Sequence, residues 1–328
     1  MWKYIIKRLV VMIPVVLIIT IVGFVSMDSV GDPISSYFGK GQSGGMQGHE
    51  PTPAEIERVK VALGLDKPPV VRYFLWFKNV LQGNLGYTFT GRPVSEVILE
   101  RLPVSIALGL SGIIIGCLGG IILGVIMARR QYSPFDYGIG VVNYIIIAIP
   151  EVCLGLFCIV LFCTTLHWFP TFGLNSPSAI PLTGWDRFFD QAKHLVLPSL
   201  ILALPTTAAW SRFQRAAYLE VMRSDYVRTA RSKGLSERVV AYRHTLKNAL
   251  LPISTSSGNI IMGIFGGSYI IETLFTIPGI GLLTTNAFLA FDFNLMLSTS
   301  LLTTVMGSMG LLLSDIICVI VDPRIRYE

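Results

Sequence analysis

Four long runs of the sequence contain no charged residue, and they alternate with segments rich in polar residues. The runs are Leu9–Met27, Leu102–Ala128, Asn248–Ile271 and Phe293–Ser314. A helix needs about 20 apolar residues to cross the roughly 30 Å hydrocarbon core of a bilayer. Each run is about long enough to cross, so the pattern predicts an all-α polytopic membrane protein.

Two further apolar stretches complete the predicted set of spans. One runs from about residue 137 to 166 and is interrupted by Pro150 and Glu151, and the other runs from about residue 195 to 210. We therefore expect six transmembrane helices, at about residues 9–27, 103–128, 137–166, 195–210, 249–271 and 294–319.

The stretch Thr273–Phe291 is also uncharged and could be counted as a seventh span. It contains Pro278, Gly279 and Gly281, which suit a turn followed by a short helix at the membrane interface. Six spans also leave Arg324 and Arg326 inside, so six are favoured over seven.

Clusters of basic residues predict the orientation, because cytoplasmic loops carry an excess of Lys and Arg. Residues 1–8 contain three basic residues, Arg129 and Arg130 follow the second span, and the densest basic segment is 212–247. This distribution places both termini and the 212–247 segment in the cytoplasm. The first span has no small-x-small cleavage site before Asp28, which favours an uncleaved helix over a signal peptide.

The predicted organisation has three parts. Residues 1–27 form the cytoplasmic N-terminal end and first span, 28–101 an extracytoplasmic loop region, and 102–328 a five-span core that includes the cytoplasmic loop 212–247. A second outer loop is expected at Trp168–Asp190, which is rich in Pro, Gly, Ser and Asn.

The first outer loop is predicted to contain structure of its own. Thr52-Pro53-Ala54-Glu55 matches a capping box with proline at the first helical position. The aromatic run Tyr73–Phe77 could rest at the bilayer surface, where Trp and Tyr are enriched. Local packing under the loop and contact with a substrate are the other interpretations of this run.

Composition agrees with this membrane interpretation. Hydrophobic residues make up 52% of the 328 residues and charged residues 14%, whereas soluble domains carry about a quarter charged residues. The net charge of +6 is clustered between apolar runs, so it is read as a topology signal and no nucleic-acid partner is expected. All five cysteines fall in apolar runs, which predicts buried packing thiols without a disulfide framework.

The sequence offers no motif for catalysis. Gly39-Lys40-Gly41 lacks the spacing and the hydroxyl of a phosphate-binding loop. The four histidines show no paired ligand spacing, and no nucleophile elbow or triad order is present. We expect no enzyme, no metal site and no cofactor in this chain.

Ionisable groups at membrane depth are functional candidates, because burying them in lipid is costly. Glu151 and Asp315 lie in predicted spans, Glu272 lies at the outer end of the fifth, and Asn259 is an amide within it. These four residues are candidates for lining a pore. Structural roles are the alternative: a pairing of Asp315 with a basic residue, and a helix-end role for Glu272.

The segment Ser224–Pro252 predicts two short helices joined at Gly234. Ser224 can cap the first helix, and Asp225 complements its dipole. Tyr226, Ala230 and Gly234 recur at every fourth position and so share a face, on which Ala230 would let another protein approach closely. Ser236 and Glu237 begin the second helix. The pattern alone fits a docking element, or a solvated loop that only sets topology.

This segment, called the coupling segment from here on, resembles a known signature. Asp225-Tyr226, Ala230, Lys233-Gly234-Leu235, His244 and Asn248 to Pro252 are similar to the coupling loop of bacterial binding-protein-dependent ABC importers. The resemblance is greatest to the first permease subunit of the dipeptide/oligopeptide/nickel branch. It extends over nearly the whole chain, through residues 31–33, 63–66, 83–86, 92–94, 272–275, 278–281 and 322–326. Asn84 stands where that branch usually has an acidic residue.

The resemblance implies a set of partners in the bacterial inner membrane. A homologous second permease subunit would complete the pore, and two cytoplasmic ATPase subunits would bind ATP and Mg²⁺. An extracytoplasmic binding protein would deliver the substrate. The segment around Asp225–Gly234 would be a coupling helix that lies in a groove of an ATPase.

These implications predict an importer of di- or oligopeptides that works by alternating access. A nickel or oligosaccharide importer of the same architecture is the nearest alternative. A membrane receptor or scaffold that recruits a cytoplasmic partner, and a channel or ion-coupled carrier, are alternatives from other classes.

Overall fold

The computed structural model describes residues 2–30, 52–62, 66–177, 183–250 and 268–321. Within these ranges the regular secondary structure is helical, and the only β-bridge is an isolated one between Tyr87 and Pro93. The helices are α1 Trp2–Val30, α2 Pro53–Ala62, α3 Pro69–Leu81, α4 Val94–Arg129, α5 Pro134–Ala148, α6 Glu151–Cys158, π1 Ile159–Thr165, α7 Gly184–Met222, α8 Asp225–Ser232, α9 Glu237–Val239, π2 Val240–Leu246, α10 Lys247–Ala249, α11 Tyr269–Leu274, α12 Ile280–Leu289 and α13 Phe293–Val321.

Three described helices are long and apolar enough to cross a membrane. They are α4, α7 and residues Phe293–Leu313 of α13. The pair Pro134–Ala148 and Glu151–Thr165 also passes when taken together, although its halves are bent by 105°. Helix α1 covers the predicted first span, while most of the predicted fifth span, with Pro252 and Asn259, lies outside the described residues.

The predicted break in the third span is confirmed. Helix α5 ends at Ala148, Ile149 takes an extended conformation, and α6 begins at Glu151. Proline disfavours a helical conformation in the residue before it and has no N–H to donate, which explains why the helix stops here.

The prediction that Trp168–Asp190 forms a loop is wrong at its C-terminal end. Helix α7 begins at Gly184, after Thr183 in an extended conformation. Trp185, Phe188 and Phe189 lie on one face of its first turns, and their rings contact one another. The spacing of these aromatic residues is helical, whereas composition alone suggests a loop.

Residues 273–291 contain a turn followed by a short helix. The helix α11 ends at Leu274, and α12, of ten residues, begins at Ile280. Thr276 in the intervening turn has a positive φ of 51°. This arrangement has the turn and short helix that the six-span interpretation requires.

Chain contacts divide the protein into two compact units, and the first comprises residues 1–103 and 279–306. In it, the hydroxyl groups of Tyr73 and Thr20 lie 2.9 Å apart. Tyr73 and Trp76 are buried with Phe24 and Leu297. The aromatic run of the predicted outer loop therefore packs within this unit, although Phe74 remains exposed.

Asp292 organises the start of α13 in the same unit. Its carboxylate accepts the N–H of Phe89 at 2.8 Å and the N–H of Leu295 at 3.1 Å. Burial raises the pKa of Asp292, and the two N–H donors oppose this shift. The side chain thus joins the segment around Phe89 to the first turn of a long apolar helix.

The second unit comprises residues 104–278 and 307–328, and in it α4 and α7 make a very close contact. Glycines at every fourth position of α4 face side chains at every fourth position of α7: Gly112 faces Leu202, Gly116 faces Thr206, Gly120 faces Trp210 and Gly124 faces Gln214. Residue numbers increase in the same direction along both helices, so the two helices run parallel. Small residues of this kind let helix backbones approach closely within a membrane.

Helix α5 is joined to α7 by polar contacts. Arg215 donates from two nitrogens to the two carboxylate oxygens of Asp136, each at 2.7 Å. Asn143 donates to Ser211 at 2.8 Å, and both side chains are buried. A bidentate pair of this type fixes geometry as well as adding energy.

The cysteine prediction is confirmed for two residues and wrong for one. Cys158 and Cys163 are buried free thiols, Cys117 is partly buried, and Cys153 is exposed. Cys153 lies on the opposite side of α6 from the buried Leu154 and Gly155.

The contact between α4 and α7 generates a prediction about Gly120. A Cβ atom there would lie 2.5 Å from the Cβ of Trp210, so Gly120→Ala must force the backbones apart. Overpacking costs about 1–3 kcal/mol, which exceeds the roughly 1 kcal/mol that Ala gains over Gly within a helix. We expect a lower melting temperature of the detergent-solubilised protein.

Gly140→Ala is the matched control, because Gly140 is also helical and a Cβ atom there would meet nothing within 4 Å. It should keep or slightly raise the melting temperature. Equal stability of the two variants would contradict a close contact at Gly120.

Candidate functional site

The coupling segment forms two helical stretches separated by a turn, as predicted. The first is α8, Asp225–Ser232, and the second comprises α9, π2 and α10 from Glu237 to Ala249. Gly234 lies in the turn with a φ of +75°, and its N–H donates to the carbonyl of Arg231 at 2.9 Å. The predicted left-handed glycine at the end of the first helix is confirmed.

Ser224 does not cap α8 with its side chain, in contrast to the prediction. It occupies the N-cap position in an extended conformation, but its hydroxyl donates to the carbonyl of Val221 at 2.6 Å. That carbonyl lies near the end of α7, where carbonyl groups lack helical partners. Ser224 therefore serves the end of α7, and Asp225 remains in the first turn of α8 with a fully exposed carboxylate.

Ala230 faces the interior of the protein, which corrects the prediction that it offers a surface to another protein. It is 5% exposed and packs with Val227 and Val240, which are both fully buried. The small side chain permits a close approach, but the surface that approaches is the second helical stretch of the same chain. Helix α8 is thereby seated on π2.

The outward surface of α8 and its turn is formed by other predicted residues. Tyr226 is 47% exposed and Leu235 39% exposed, and Asp225, Lys233 and Gly234 are also exposed. A Cβ atom at Gly234 would meet nothing within 4 Å. The segment thus presents apolar and charged side chains around an open glycine turn.

An ion pair connects the two helical stretches across this turn. The Nε of Arg231 donates to Glu237 at 3.0 Å, and both side chains are substantially exposed. An exposed pair of this kind contributes about 0–1 kcal/mol. The buried contacts of Val227 and Ala230 therefore contribute more than this ion pair to holding α8 against π2.

The second stretch joins the coupling segment to the long helices. Ala249 is fully buried beside Val125 and Ala128 of α4 and Tyr218 of α7, with Leu246 packed against them. The hydroxyl of Tyr218 donates to the carbonyl of Ala241 at 3.5 Å. A continuous path of contacts thus runs from α8 through π2 to α4 and α7.

The two remaining predicted coupling residues that the structure describes lie along the second stretch. His244 is partly buried, and its carbonyl accepts the side-chain amide of Asn248 at 3.0 Å. Both residues belong to the helical stretch against which α8 packs. In the same stretch the hydroxyl of Thr245 donates to the carbonyl of Val240 at 3.0 Å.

Two of the four predicted pore residues are described, and their surroundings differ. Glu151 is partly buried and lines a cavity of 390 Å³. Glu272 is fully buried and accepts the hydroxyl of Ser105 at 2.8 Å, so its carboxylate lies in the packed interior. Asn259 lies outside the described residues, as does the side chain of Asp315. The assignment of all four residues to a pore stays a prediction.

Sequence reasoning missed Asp136 and Arg215. Ser133, Pro134 and Asp136 form a cap signal that could have been noticed, since Ser133 accepts the N–H of Asp136 at 3.2 Å. In the sequence Arg215 is only one of the basic residues that set topology. Its pairing with Asp136 fixes α5 against α7 immediately before the coupling segment.

Together, the described residues define a helical protein with helices long and apolar enough to cross a membrane and a helix–turn–helix segment after one of them. Comparison with known proteins identifies the family. The model of the binding-protein-dependent transport system inner membrane component matches residues 120–327, and the N-terminal model of the same kind of membrane component matches residues 1–109. The chain belongs to this family of permeases.

Curated relatives match over the full length of the chain. An oligopeptide transport system permease protein, AppB of Bacillus subtilis (strain 168), is 37% identical, with 100% of both chains covered. A putative peptide transport system permease protein of Brucella abortus (strain 2308) is 39% identical with the same coverage. The dipeptide transport system permease protein DppB of Lactococcus lactis is 34% identical, over 99% of this chain and 100% of the relative.

A solved structure shares the fold. The inward-facing MetNI methionine ABC transporter matches with a TM-score of 0.55 at 14% identity, covering 69% of this chain and 97% of that one. At this identity the match supports the arrangement of helices alone.

The seating of α8 generates a prediction about Ala230. Ala230→Leu would add three carbon atoms at a buried position against Val227 and Val240, which should displace α8 at a cost of about 1–3 kcal/mol. We expect faster amide hydrogen exchange across Asp225–Ser232 in the detergent-solubilised protein.

The control is Thr229→Leu, at the adjacent and exposed position. It should leave exchange in α8 within a small factor of the unmodified protein. Unchanged exchange in the Ala230 variant would mean that α8 is not held by this buried contact.

Proposed function

We propose that the chain is one of two permease subunits of an ATP-driven importer of di- or oligopeptides in a bacterial inner membrane. The observation that carries this proposal is the full-length similarity to permeases named for peptide transport. Two cytoplasmic ATPase subunits bind ATP and Mg²⁺ in this proposal, and an extracytoplasmic binding protein delivers the peptide.

The exposed surface of the coupling segment supports its role as the ATPase contact. Tyr226 and Leu235 supply apolar area, and Asp225 and Lys233 supply charge of both signs. The open space at Gly234 admits a partner close to the backbone. A short helix with these properties suits insertion into a groove of another protein.

The buried contacts of the segment support mechanical transmission. Val227 and Ala230 fix α8 to π2, and Ala249 fixes the end of the stretch to α4 and α7. Motion of an ATPase that pulls on α8 would therefore move the membrane helices as a body. ATP drives alternating access only if it favours one conformation of these helices over the other.

The parallel contact of α4 and α7 supports counting the bent pair between them as one full crossing, as the six-span arrangement requires. If both helices cross the membrane in the same direction, the chain must return to the starting side between Arg129 and Gly184. The bent pair Pro134–Ala148 and Glu151–Thr165 is the described apolar stretch in that interval. It then serves as the return crossing, and a re-entrant loop would leave the chain on the wrong side.

Gly234→Val tests the coupling role. A β-branched residue at a φ of +75° is strained, at a cost of about 1–2 kcal/mol, and its side chain would fill the open space at the turn. We expect ATP-dependent peptide uptake by the reconstituted importer to fall at least severalfold, with less ATPase retained on the purified complex. Membrane insertion should be unchanged.

Gly91→Val is the matched control, because Gly91 has a φ of +77° and an equally open surrounding but lies outside the coupling segment. It should retain the ATPase. Normal uptake by the Gly234 variant would refute the coupling assignment, and uptake of Ni²⁺ or an oligosaccharide in place of peptide would refute the substrate class.

A further inference from the structure

A cavity of 390 Å³ lies beside the middle of two long helices in the second unit. Gly109 and Gly112 of α4 line it, as do Leu202 and Thr206 of α7. These residues lie near the midpoints of helices of 36 and 39 residues, both of which are long and apolar enough to cross a membrane. The volume is within the range of sites for small organic ligands, about 300–1,000 Å³.

Among the described residues that line the cavity, Glu151 is the one that carries a charge. It occupies the first turn of α6, directly after the break at Pro150. Its side chain is partly buried, so the carboxylate is neither solvated freely nor packed into the core. The remaining lining is apolar or carries a hydroxyl group, as on Thr206, Ser268 and Tyr269.

The described partners of Glu151 leave it able to accept a cation. It forms a side-chain hydrogen bond with Ser268, whose Oγ in turn accepts the N–H of Ile271 at 3.2 Å. Among the ion pairs of the described residues, none involves Glu151. Ser268 is therefore the described partner of this carboxylate, and no Lys, Arg or His side chain of the described residues forms an ion pair with it.

We infer that this cavity is a binding site for the terminal ammonium group of a peptide in transit, with Glu151 as the group that recognises its charge. This inference rests on the proposed peptide importer. An isolated carboxylate at membrane depth is costly unless it is paired, and a primary ammonium is a compact donor with three N–H groups for the carboxylate and neighbouring hydroxyls. The cavity volume of 390 Å³ is large enough to accommodate the adjoining residue of the peptide.

The nature of the lining explains why only this part of a peptide is recognised by charge. The other described residues that line the cavity are neutral, so they can accept peptide side chains of many kinds. The terminal ammonium is the positive charge that unmodified peptides share regardless of sequence, and it is the terminal group that a carboxylate attracts. One carboxylate in a neutral cavity is therefore sufficient for a site of broad tolerance.

The test uses the complete importer, reconstituted with its ATPases and binding protein in liposomes. ATP-dependent uptake is measured for free trialanine and for N-acetyl-trialanine, each at a concentration that saturates the binding protein. The variants are Glu151→Gln, Glu151→Asp and the control Glu96→Gln. Glu96 also lies in the first turn of a long helix, but it is exposed and lies outside the cavity.

We expect Glu151→Gln to reduce uptake of free trialanine by roughly tenfold or more, as loss of a charge-assisted hydrogen bond would. Uptake of the acetylated peptide should be unaffected, and Glu151→Asp should restore much of the uptake of the free one. Glu96→Gln should behave like the unmodified protein.

Two results would overturn the inference while leaving the importer intact. Unchanged uptake of free trialanine by Glu151→Gln would show that the carboxylate does not bind the peptide. An equal loss for both peptides would assign Glu151 to pairing with another subunit. If the acetylated peptide is not transported at all, the two Glu151 variants are compared on free trialanine. Loss of uptake in Glu151→Gln with recovery in Glu151→Asp supports the inference, and equal loss in both variants contradicts it. Failure of the unmodified importer to transport either peptide would instead refute the proposed function.

Discussion

The close approach of α4 and α7 is the constraint on which the second unit depends. Lipid provides no hydrophobic drive between helices, so association depends on packing at short distance. The glycines from Gly112 to Gly124 make that distance available. Helix α5 is fixed to α7 by Asp136 and Arg215, and Ala249 is buried where α4 and α7 meet. The coupling segment therefore keeps the surface on which it packs only while α4 and α7 stay in contact.

Much of the fold could be predicted from local patterns. Apolar runs indicated the long helices, and Pro150 indicated the break, because both signals reside in consecutive residues. The start of α7 at Gly184 was not predicted, since composition concealed the helical spacing of its aromatic residues. The glycine contact was not predicted either. The fourfold spacing from Gly112 is visible in the sequence, but only the fold shows that α7 is the helix that fills it.

The candidate site could also be predicted from the sequence only in part. Gly234 could be predicted, because a left-handed residue at the end of a helix is a local requirement. The prediction for Ala230 was wrong, because a small side chain permits a close approach without indicating which surface will approach. Arg215 and Asp136 are separated by 79 positions, and no local rule connects them. The cost of a carboxylate in lipid singles out Glu151, and the structure adds the cavity beside it.

The exposed ion pair between Arg231 and Glu237 has a consequence for how the complex responds to ionic strength. Salt screens exposed charges over about 10 Å at 0.1 M, so this pair weakens as salt is added. The apolar seat formed by Val227, Ala230 and Val240 is insensitive to such screening. The shape of the segment is therefore preserved in concentrated salt, and dissociation of a partner under those conditions reports on charges between the proteins.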